Sequence, residues 1–341
     1  MTVRTFGSHA HPETGLERTS RIAASVGLLP ILLVLMVAFM AVFEQKFFGV
    51  NNLFNVLRST SFLAIIAAGQ MLVLIVGGFD LSVGAVIALT STVMAKTMAV
   101  LSASMPDQTA AIITLGVLAG LGCGVAIGLI NGLCVAFLRI SPFMVTLGTL
   151  SIATGVGLLL TNGIPVYGMP DVFVKGFGRA LWFGLPATVY VAVALIAVVW
   201  FIQARTKLGR YIYAIGGNLQ AATVSGVPAT GYLVLTYVMC SVLASITGIM
   251  MTARLGSGQA TMGGNVMMLQ SIAAAVIAGV SLRGGIGRVE MVALGALFLS
   301  ILTNAMNLLR IDSKMQLVVL GVIVVLAVAL DELGKRRQIR D

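Results

Sequence analysis

The stretch "IVGGFDLSVGAVIALT", Ile75–Thr90, decides the fold. It places two glycines and an aspartate, Gly77, Gly78 and Asp80, between two long apolar runs. Glycines permit a tight turn, and an aspartate just before a helix can accept amide hydrogen bonds as an N-cap. The stretch therefore predicts two apolar helices joined almost directly, with Asp80 as the N-cap of the second.

The composition of the whole chain agrees with this local pattern. Of the 341 residues, 59% are hydrophobic and only 9% are charged, with a mean hydropathy of +1.06. A soluble domain usually carries about 25% charged residues. The composition therefore predicts an integral membrane protein.

Apolar runs recur along the chain and predict membrane-spanning helices. A bilayer core requires about 20 apolar residues per helix, and a helix satisfies its own backbone groups there. Ten runs meet or approach this length, although the eighth is short, so eight or nine spans are also compatible. We expect an all-α polytopic membrane helix bundle of about ten transmembrane helices (8–10). The runs are 26–43, 61–76, 81–101, 109–137, 143–160, 188–203, 232–252, 269–282, 291–308 and 315–330.

The domain prediction is a tail at 1–24, one transmembrane domain at 25–332 and a basic tail at 333–341. The first run follows Arg18 and Arg21 but ends without a small-residue cleavage pattern, so we interpret it as a retained anchor.

The basic residues predict the orientation. With ten spans and a cytoplasmic start, thirteen of the 21 Lys and Arg residues fall on the cytoplasmic side and seven outside. Basic loops face the cytoplasm, so both termini are predicted there. The net charge of +10 is scattered among loops near anionic lipid, which favours a membrane-lipid partner and no nucleic acid.

The fourth run holds a glycine series that predicts close helix packing. Overlapping GxxxG spacing lets another backbone approach closely. A second, weaker series of small residues runs from Ser241 to Gly248. The five glycines are Gly116, Gly120, Gly124, Gly128 and Gly132.

The stretch "QARTKLGRYIYAIGGNLQAATVSGVPATG", Gln203–Gly231, is the longest polar interruption on the predicted cytoplasmic side. A helix connection needs only about 2 to 8 residues. The pattern predicts an amphipathic piece, a break at Gly216 and Gly217, and a short helix over Leu219–Val224. The surplus length favours a docking surface, with an ordinary surface loop as the alternative.

These motifs resemble the membrane permeases of ribose-type sugar ABC importers. The similarity runs from about Asn51 to Glu332 and includes a segment, Gln220 to Gly226, that loosely matches the coupling loop of importers. The chain differs from the usual family pattern in lacking acidic residues at 268–270 and charged residues at 219–220. The matching segments are "GGFDLSVGAVIALT", "NGLCVAFLRISPFMVTLGTLSIATGVGLLLT", "GRYIYAIGGN", "ARLGSGQATMGG", "SIAAAVIAGVSLRGGIGRV" and "LTNAMNLL".

The resemblance implies a multi-pass subunit of the bacterial inner membrane that works with three partners. These are a cytoplasmic ATP-binding cassette ATPase, a periplasmic sugar-binding protein and a second permease subunit, identical or different. The chain has no GxxxxGK[ST] phosphate loop, so energy would come from the ATPase. The implied ATPase-coupling residues are Arg205, Lys207, Gly209, Arg210, Tyr211, Gly216, Gly217, Asn218, Ala221, Ala222 and Gly226.

A monosaccharide crossing lipid by alternating access needs transient hydroxyl partners. Polar side chains in membrane helices also bond to neighbouring helices, so each candidate has a packing role as its alternative. The candidates for the substrate pathway are Gln70, Asp80, Asn131, Thr146, Thr149, Asn304 and Asn307.

Two other classes of function remain alternatives at this point. An ion-coupled secondary carrier would also be helical and basic inside, and such carriers bind ions through acids such as Asp80. A membrane enzyme is disfavoured, since the chain has no HExxH motif and its two histidines, His9 and His11, lie in the predicted tail. No cofactor and no metal site are predicted, and the three cysteines are interpreted as packing residues.

Overall fold

The computed structural model describes residues 28–338, and the predicted 1–24 tail lies outside the described residues. Helices and their connecting loops make up most of the described chain, and its one sheet is a small hairpin in which Leu181–Trp182 (β1) pairs antiparallel with Leu185–Pro186 (β2). A short 3-10 helix spans Gln45–Phe48. A helical turn at Asp171–Phe173 runs on into a π-helix at Val174–Gly178. The other helices are α1 Leu28–Phe43, α2 Val50–Ile75, α3 Val83–Ser104, α4 Thr109–Ala136, α5 Pro142–Thr161, α6 Ala187–Arg205, α7 Lys207–Gly217, α8 Leu219–Val224, α9 Ala229–Leu255, α10 Gly264–Ile277, α11 Val289–Leu308 and α12 Ser313–Gln338.

Seven of the described helices are long and apolar enough to cross a membrane, namely α2, α3, α4, α5, α6, α9 and α11. Three shorter apolar helical segments, Leu29–Phe43, Gly264–Ile277 and Ser313–Leu326, overlap the first, eighth and tenth predicted runs. The predicted all-α polytopic membrane bundle is confirmed.

Two predicted runs differ from the structure by several residues. Helix α2 begins at Val50 rather than Ser61, because hydropathy alone stops at a polar turn that still forms a helix. The eighth run was predicted to start at Leu269 and end at Leu282, but α10 spans Gly264–Ile277 and is followed by Gly279 at φ +83°.

Burial divides the bundle into a centre and a periphery. The most apolar windows of α2, α3 and α9 are 83%, 72% and 61% buried, whereas those of α4, α5 and α6 are only 28%, 22% and 22% buried. The peripheral helices expose side chains such as Leu159 and Val193. In a membrane these side chains face lipid or another subunit rather than water.

The two ends of the bundle are built differently. One end, called here the α7 end, carries α7, α8, the turn between α2 and α3, and the loop 278–288, and Gly285 N donates to Ile75 O across it at 2.8 Å. The opposite end carries the β1–β2 hairpin, and Val166 pairs there with Gly258.

The five glycines of α4 lie against two neighbouring helices. A methyl group on Gly128 would come within 2.6 Å of Val238 Cα, and one on Gly124 within 2.1 Å of Ser245 Oγ. Gly132 faces α9 in the same way, while Gly116 and Gly120 face α3. This surface, called here the glycine seam, comprises Gly116, Gly120, Gly124, Gly128 and Gly132, and it brings helix backbones together as small residues do in membranes.

Candidate functional site

The segment between α6 and α9 folds as two short helices, each with a polar cap. Thr206 Oγ1 accepts from Gly209 N at 3.2 Å at the start of α7, and Asn218 Oδ1 accepts from Ala221 N at 2.9 Å at the start of α8. Both are N-cap bonds of the usual kind. The predicted short helix is present with the predicted bounds, Leu219–Val224.

The two short helices have a buried and an exposed side. Ile212 and Ile215 are buried and hold α7 on the bundle. On the outward side, Leu219 is 49% and Val224 90% exposed. Of the predicted coupling residues, Gly209 and Ala222 are buried, Tyr211 and Gly216 are half-buried, and the exposed ones are Arg205, Lys207, Arg210, Gly217, Asn218, Ala221 and Gly226. The result is an exposed surface of mixed cationic and apolar character.

Hydrogen bonds fasten the end of α6 and α7 to the start of α11. Gln203 Nε2 donates to Gly287 O at 2.8 Å, and Gln203 Oε1 accepts from Val289 N at 3.1 Å. The Tyr213 hydroxyl accepts from Gln203 and donates to Gly287 O. We call these four residues, Gln203, Tyr213, Gly287 and Val289, the clasp. Burial raises the pKa of the Tyr213 hydroxyl, against the lowering effect of the Gln203 hydrogen bond, so the group stays a neutral donor.

Backbone contact also fastens α7 to the end of α2. A methyl group on Gly216 would lie 1.6 Å from Ile75 O. Gly284, at φ +92°, is equally crowded, since its Cβ would lie 2.8 Å from Gly216 O and 2.9 Å from Ile75 O. Three segments that are distant in sequence therefore meet backbone to backbone at the α7 end, and no side chain fits between them.

The turn that decides the fold holds a buried polar chain. Asp80 Oδ1 accepts from Ser82 N at 2.8 Å and from Ser82 Oγ at 2.6 Å. Asn131 Nδ2 donates to Ser82 Oγ at 3.0 Å, and Thr149 Oγ1 donates to Asn131 Oδ1 at 2.8 Å. The prediction that Asp80 is the N-cap of α3 is wrong, because Ser82 occupies that position and the carboxylate binds Ser82 instead. The chain links α3, α4 and α5.

Other candidates of the pathway set are also buried. Thr146 is fully buried and donates to Pro142 O at 2.8 Å, within its own helix. Gln70 is fully buried on α2, and within residues 28–338 neither of its side-chain polar atoms has a hydrogen-bond partner. Among the described residues Asp80 Oδ2 and the Tyr237 hydroxyl also lack partners. The structure thus brings Asp80, Asn131 and Thr149 together and leaves Gln70 apart from them.

A cavity of about 900 Å³ lies at the α7 end, beneath α8. It is bounded by the turn at Gly77 and Gly78, by Arg139 and Ser141 between α4 and α5, and by Gln220. Its wall therefore joins the exposed short helices to the turn that carries Asp80.

A polar cleft lies at the opposite end, between α2, α9, α10 and α11. It consists of two adjoining cavities of about 230 and 370 Å³, which share Ser59, Ser300 and Thr303 in their walls. Asn304 belongs to this cleft and exchanges two hydrogen bonds with Asn52, at 3.0 and 2.7 Å. The polar residues of the cleft are Asn52, Asn55, Ser59, Arg254, Gln270, Ser300, Thr303, Asn304 and Asn307.

Sequence reasoning included only Asn304 and Asn307 of this cleft. The residues that were missed on α2 are Asn52, Asn55 and Ser59. Asn55 lies three and Ser59 seven positions after Asn52, which places all three on one helix face. Ser300, Thr303, Asn304 and Asn307 repeat the pattern on α11. A search for polar residues at helical spacing would have found both faces.

Metal-ligating side chains do not gather in the described part of the chain. Over residues 28–338, no three His, Cys, Asp or Glu side chains come close enough to hold an ion. Cys123, Cys134 and Cys240 are free thiols.

Most of the chain matches a known protein family. The model of the family described as branched-chain amino acid transport system / permease component matches residues 52–328. This chain belongs to that family. It is therefore a multi-pass permease component of the inner membrane and not an enzyme.

Relatives match the chain over most of its length. The ribose import permease protein RbsC of Escherichia coli (strain K12) is 39% identical over 306 residues, which cover 88% of this chain and 92% of the relative. The D-allose transport system permease protein AlsC of the same strain is 34% identical over 303 residues, or 89% and 90%. The L-arabinose transport system permease protein AraH is 35% identical over 332 residues, or 97% and 96%. No solved structure matches the chain.

Proposed function

We propose that this chain is the permease subunit of an ATP-binding cassette importer that carries a monosaccharide or a similar polyol across the bacterial inner membrane. The observation that carries the proposal is the similarity over 88% to 97% of the chain to permeases named for ribose, allose and arabinose. Transport follows alternating access, driven by a separate ATPase. The comparisons give the ion-coupled carrier no support.

The proposed topology has ten spans with both termini in the cytoplasm. The domain limits are a tail at 1–24, the transmembrane domain at 25–332 and a basic tail at 333–341. The distribution of Lys and Arg supports this orientation. It places the α7 end, with the segment 203–231, in the cytoplasm and the polar cleft on the periplasmic side.

The ATPase docks on α7 and α8 in this proposal. The exposed surface of these helices and of the last residue of α6 combines Arg205, Lys207 and Arg210 with two exposed apolar side chains, Leu219 and Val224. Such a mixture suits a protein partner. The buried and half-buried members of the predicted set, Gly209, Tyr211, Gly216 and Ala222, hold these helices on the bundle. The clasp then passes their movement to α11.

The proposed solute pathway includes the polar residues predicted for it. The solute contacts them in different conformations of the helix bundle. Gln70, Asp80, Asn131, Thr146 and Thr149 are buried in the arrangement described here, so a solute meets them only after the helices move. Asn304 and Asn307 line a cleft that is already open. A periplasmic sugar-binding protein delivers the solute, and a second permease subunit, identical or different, completes the path.

Reconstitution tests this proposal. The chain is placed in sealed proteoliposomes with its ATPase and binding protein, and uptake of labelled D-ribose, D-allose, L-arabinose and sugar alcohols is measured. We expect uptake of at least one solute that requires ATP and the binding protein. Uptake by the chain alone, driven by a proton or sodium gradient, would contradict the importer and favour the carrier.

A pair of exposed apolar residues tests the docking surface. Val224→Asp on α8 places a charge in the proposed ATPase contact and should abolish co-purification of the ATPase. Phe183→Asp, at a residue 98% exposed at the opposite end, is the matched control and should leave co-purification intact. Equal retention of the ATPase by both variants would remove α8 from the contact.

A further inference from the structure

The polar cleft at the opposite end has the dimensions of a small-molecule site. Its larger cavity, of about 370 Å³, is within the range of about 300–1,000 Å³ found for such sites. It narrows into the smaller cavity along Ser59, Ser300 and Thr303, between α2 and α11. The walls come from four helices, so the opening is a feature of the bundle and not of a surface loop.

Hydroxyl and amide groups line these walls. The side chains of Ser59, Gln270, Ser300 and Thr303 all line the cleft. Ser300 is only 5% exposed, so its hydroxyl is nearly sealed from bulk solvent while it faces the cleft. A ligand hydroxyl that reaches these side chains replaces the hydrogen bonds that they otherwise make to water. Serine, threonine and glutamine can both donate to and accept from such a ligand.

Arg254 provides a fixed group of donors at the edge of the cleft. Its Nη2 donates to Asn55 Oδ1 at 3.1 Å, and its guanidinium lies 5.9 Å from the centre of the Phe62 ring. An amide oxygen and an aromatic face hold the group without neutralising it. No Asp or Glu is among the residues that line the two cavities. A metal cation or an amine therefore finds no counter-charge there, whereas a neutral ligand rich in hydroxyls finds donors and acceptors in every wall.

We infer that this cleft is a binding site for a neutral polyhydroxylated solute, and that Ser59, Arg254, Gln270, Ser300 and Thr303 contact it. The inference rests on the proposed function for the choice of a monosaccharide as the occupant. It assigns the solute a position at the periplasmic mouth, ahead of the residues that are buried in the present arrangement.

Uptake by the assembled transporter tests the site. Ser300→Leu and Thr303→Leu fill the cleft with apolar volume. Ser151→Leu is the matched control, because Ser151 is an exposed serine of α5 outside the cleft. We expect both cleft variants to lower uptake by about tenfold or more, while the ATP hydrolysis stimulated by the binding protein stays within about twofold of the unaltered protein. Unchanged uptake in both cleft variants would overturn the inference, and so would a parallel loss of uptake and ATP hydrolysis.

Labelling supplies a readout that needs no ATPase. Thr303→Cys is made in a chain whose three native cysteines are replaced by alanine. A charged thiol reagent is then added to the purified chain in lipid nanodiscs. We expect D-ribose, D-allose or L-arabinose to slow the labelling, and no protection by any of them would overturn the inference. Should protection occur while ATP-driven uptake fails, the proposed function is wrong and the cleft assignment stands.

Discussion

Helix α9 takes part in two contrasting regions. Along most of its length it packs on the glycine seam, where a methyl group on Gly132 would lie 2.7 Å from Val234 Cα. In its last turn, Arg254 opens onto the polar cleft. Small residues at a four-residue spacing let two helices touch, whereas long and polar side chains keep them apart. The contrast shows one helix serving as a fixed support at one end and as the wall of a site at the other.

The largest effect on stability is expected from a substitution in the glycine seam. Gly128→Leu forces a side chain into the Val238 backbone and should destabilise the chain by about 3 kcal/mol or more. Gly122→Leu is the matched control on the same helix, since no described atom beyond the adjacent turns of α4 lies within 4 Å of its Cβ position. Thermal unfolding in detergent measures both. A similar loss in the two variants would mean that the seam is not a fixed support.

The clasp is expected to have a smaller effect. Tyr213→Phe removes the donor to Gly287 and should cost about 1 kcal/mol, as a net hydrogen bond does. Tyr211→Phe is the control on the same helix, because the Tyr211 contact is an edge-to-face ring packing on Tyr232 at 5.0 Å that phenylalanine preserves. If Tyr211→Phe is the more destabilising change, the clasp does not stabilise the α7 end.

The amide pair in the cleft is expected to contribute less. Asn52→Ala, Asn304→Ala and the double variant form a cycle whose coupling free energy should be about 0.6 kcal/mol, the mean for polar pairs in membrane helices. Unfolding in detergent gives the three values. A coupling free energy as large as the destabilisation by Gly128→Leu would show that the cleft is as rigid as the glycine seam. The two regions of α9 would then not differ in this respect.

The smallest effect on stability is expected from a change of pH. A tyrosine whose pKa is raised by burial stabilises the folded chain below the unfolded value of about 10, and loses this contribution as the pH rises through the folded value. The difference in stability between Tyr213→Phe and the unaltered chain should therefore be constant from about pH 6 to pH 9. A change within that window would place another titrating group in the clasp.

The sequence predicts the fold better than it predicts the site. The four-residue glycine spacing identifies a contact face of α4, because it depends on one helix alone. The bounds of α8 follow from Gly217 and Gly226 for the same reason. The start of α2 is missed, since a hydropathy limit excludes the polar turn around Asn52 that extends the helix.

The clasp and the cleft depend on distant parts of the chain. Gln203 and Gly287 are 84 positions apart, and Asn52 and Asn304 are 252 apart, so no local pattern pairs them. Asp80 shows the opposite error, because a local capping rule assigns it a position that Ser82 occupies in the fold. Polar groups that bind across helices are therefore the part that a single sequence leaves undetermined.

The contact of Gly216 with Ile75 has a consequence for how far a local displacement extends. Because the two backbones touch with no free volume between them, a shift of α7 toward the bundle is not absorbed at the contact. Helix α2 continues without interruption from Ile75 back to Val50. At 1.5 Å per residue, the shift is carried over about 35 Å to Asn52 at the far surface.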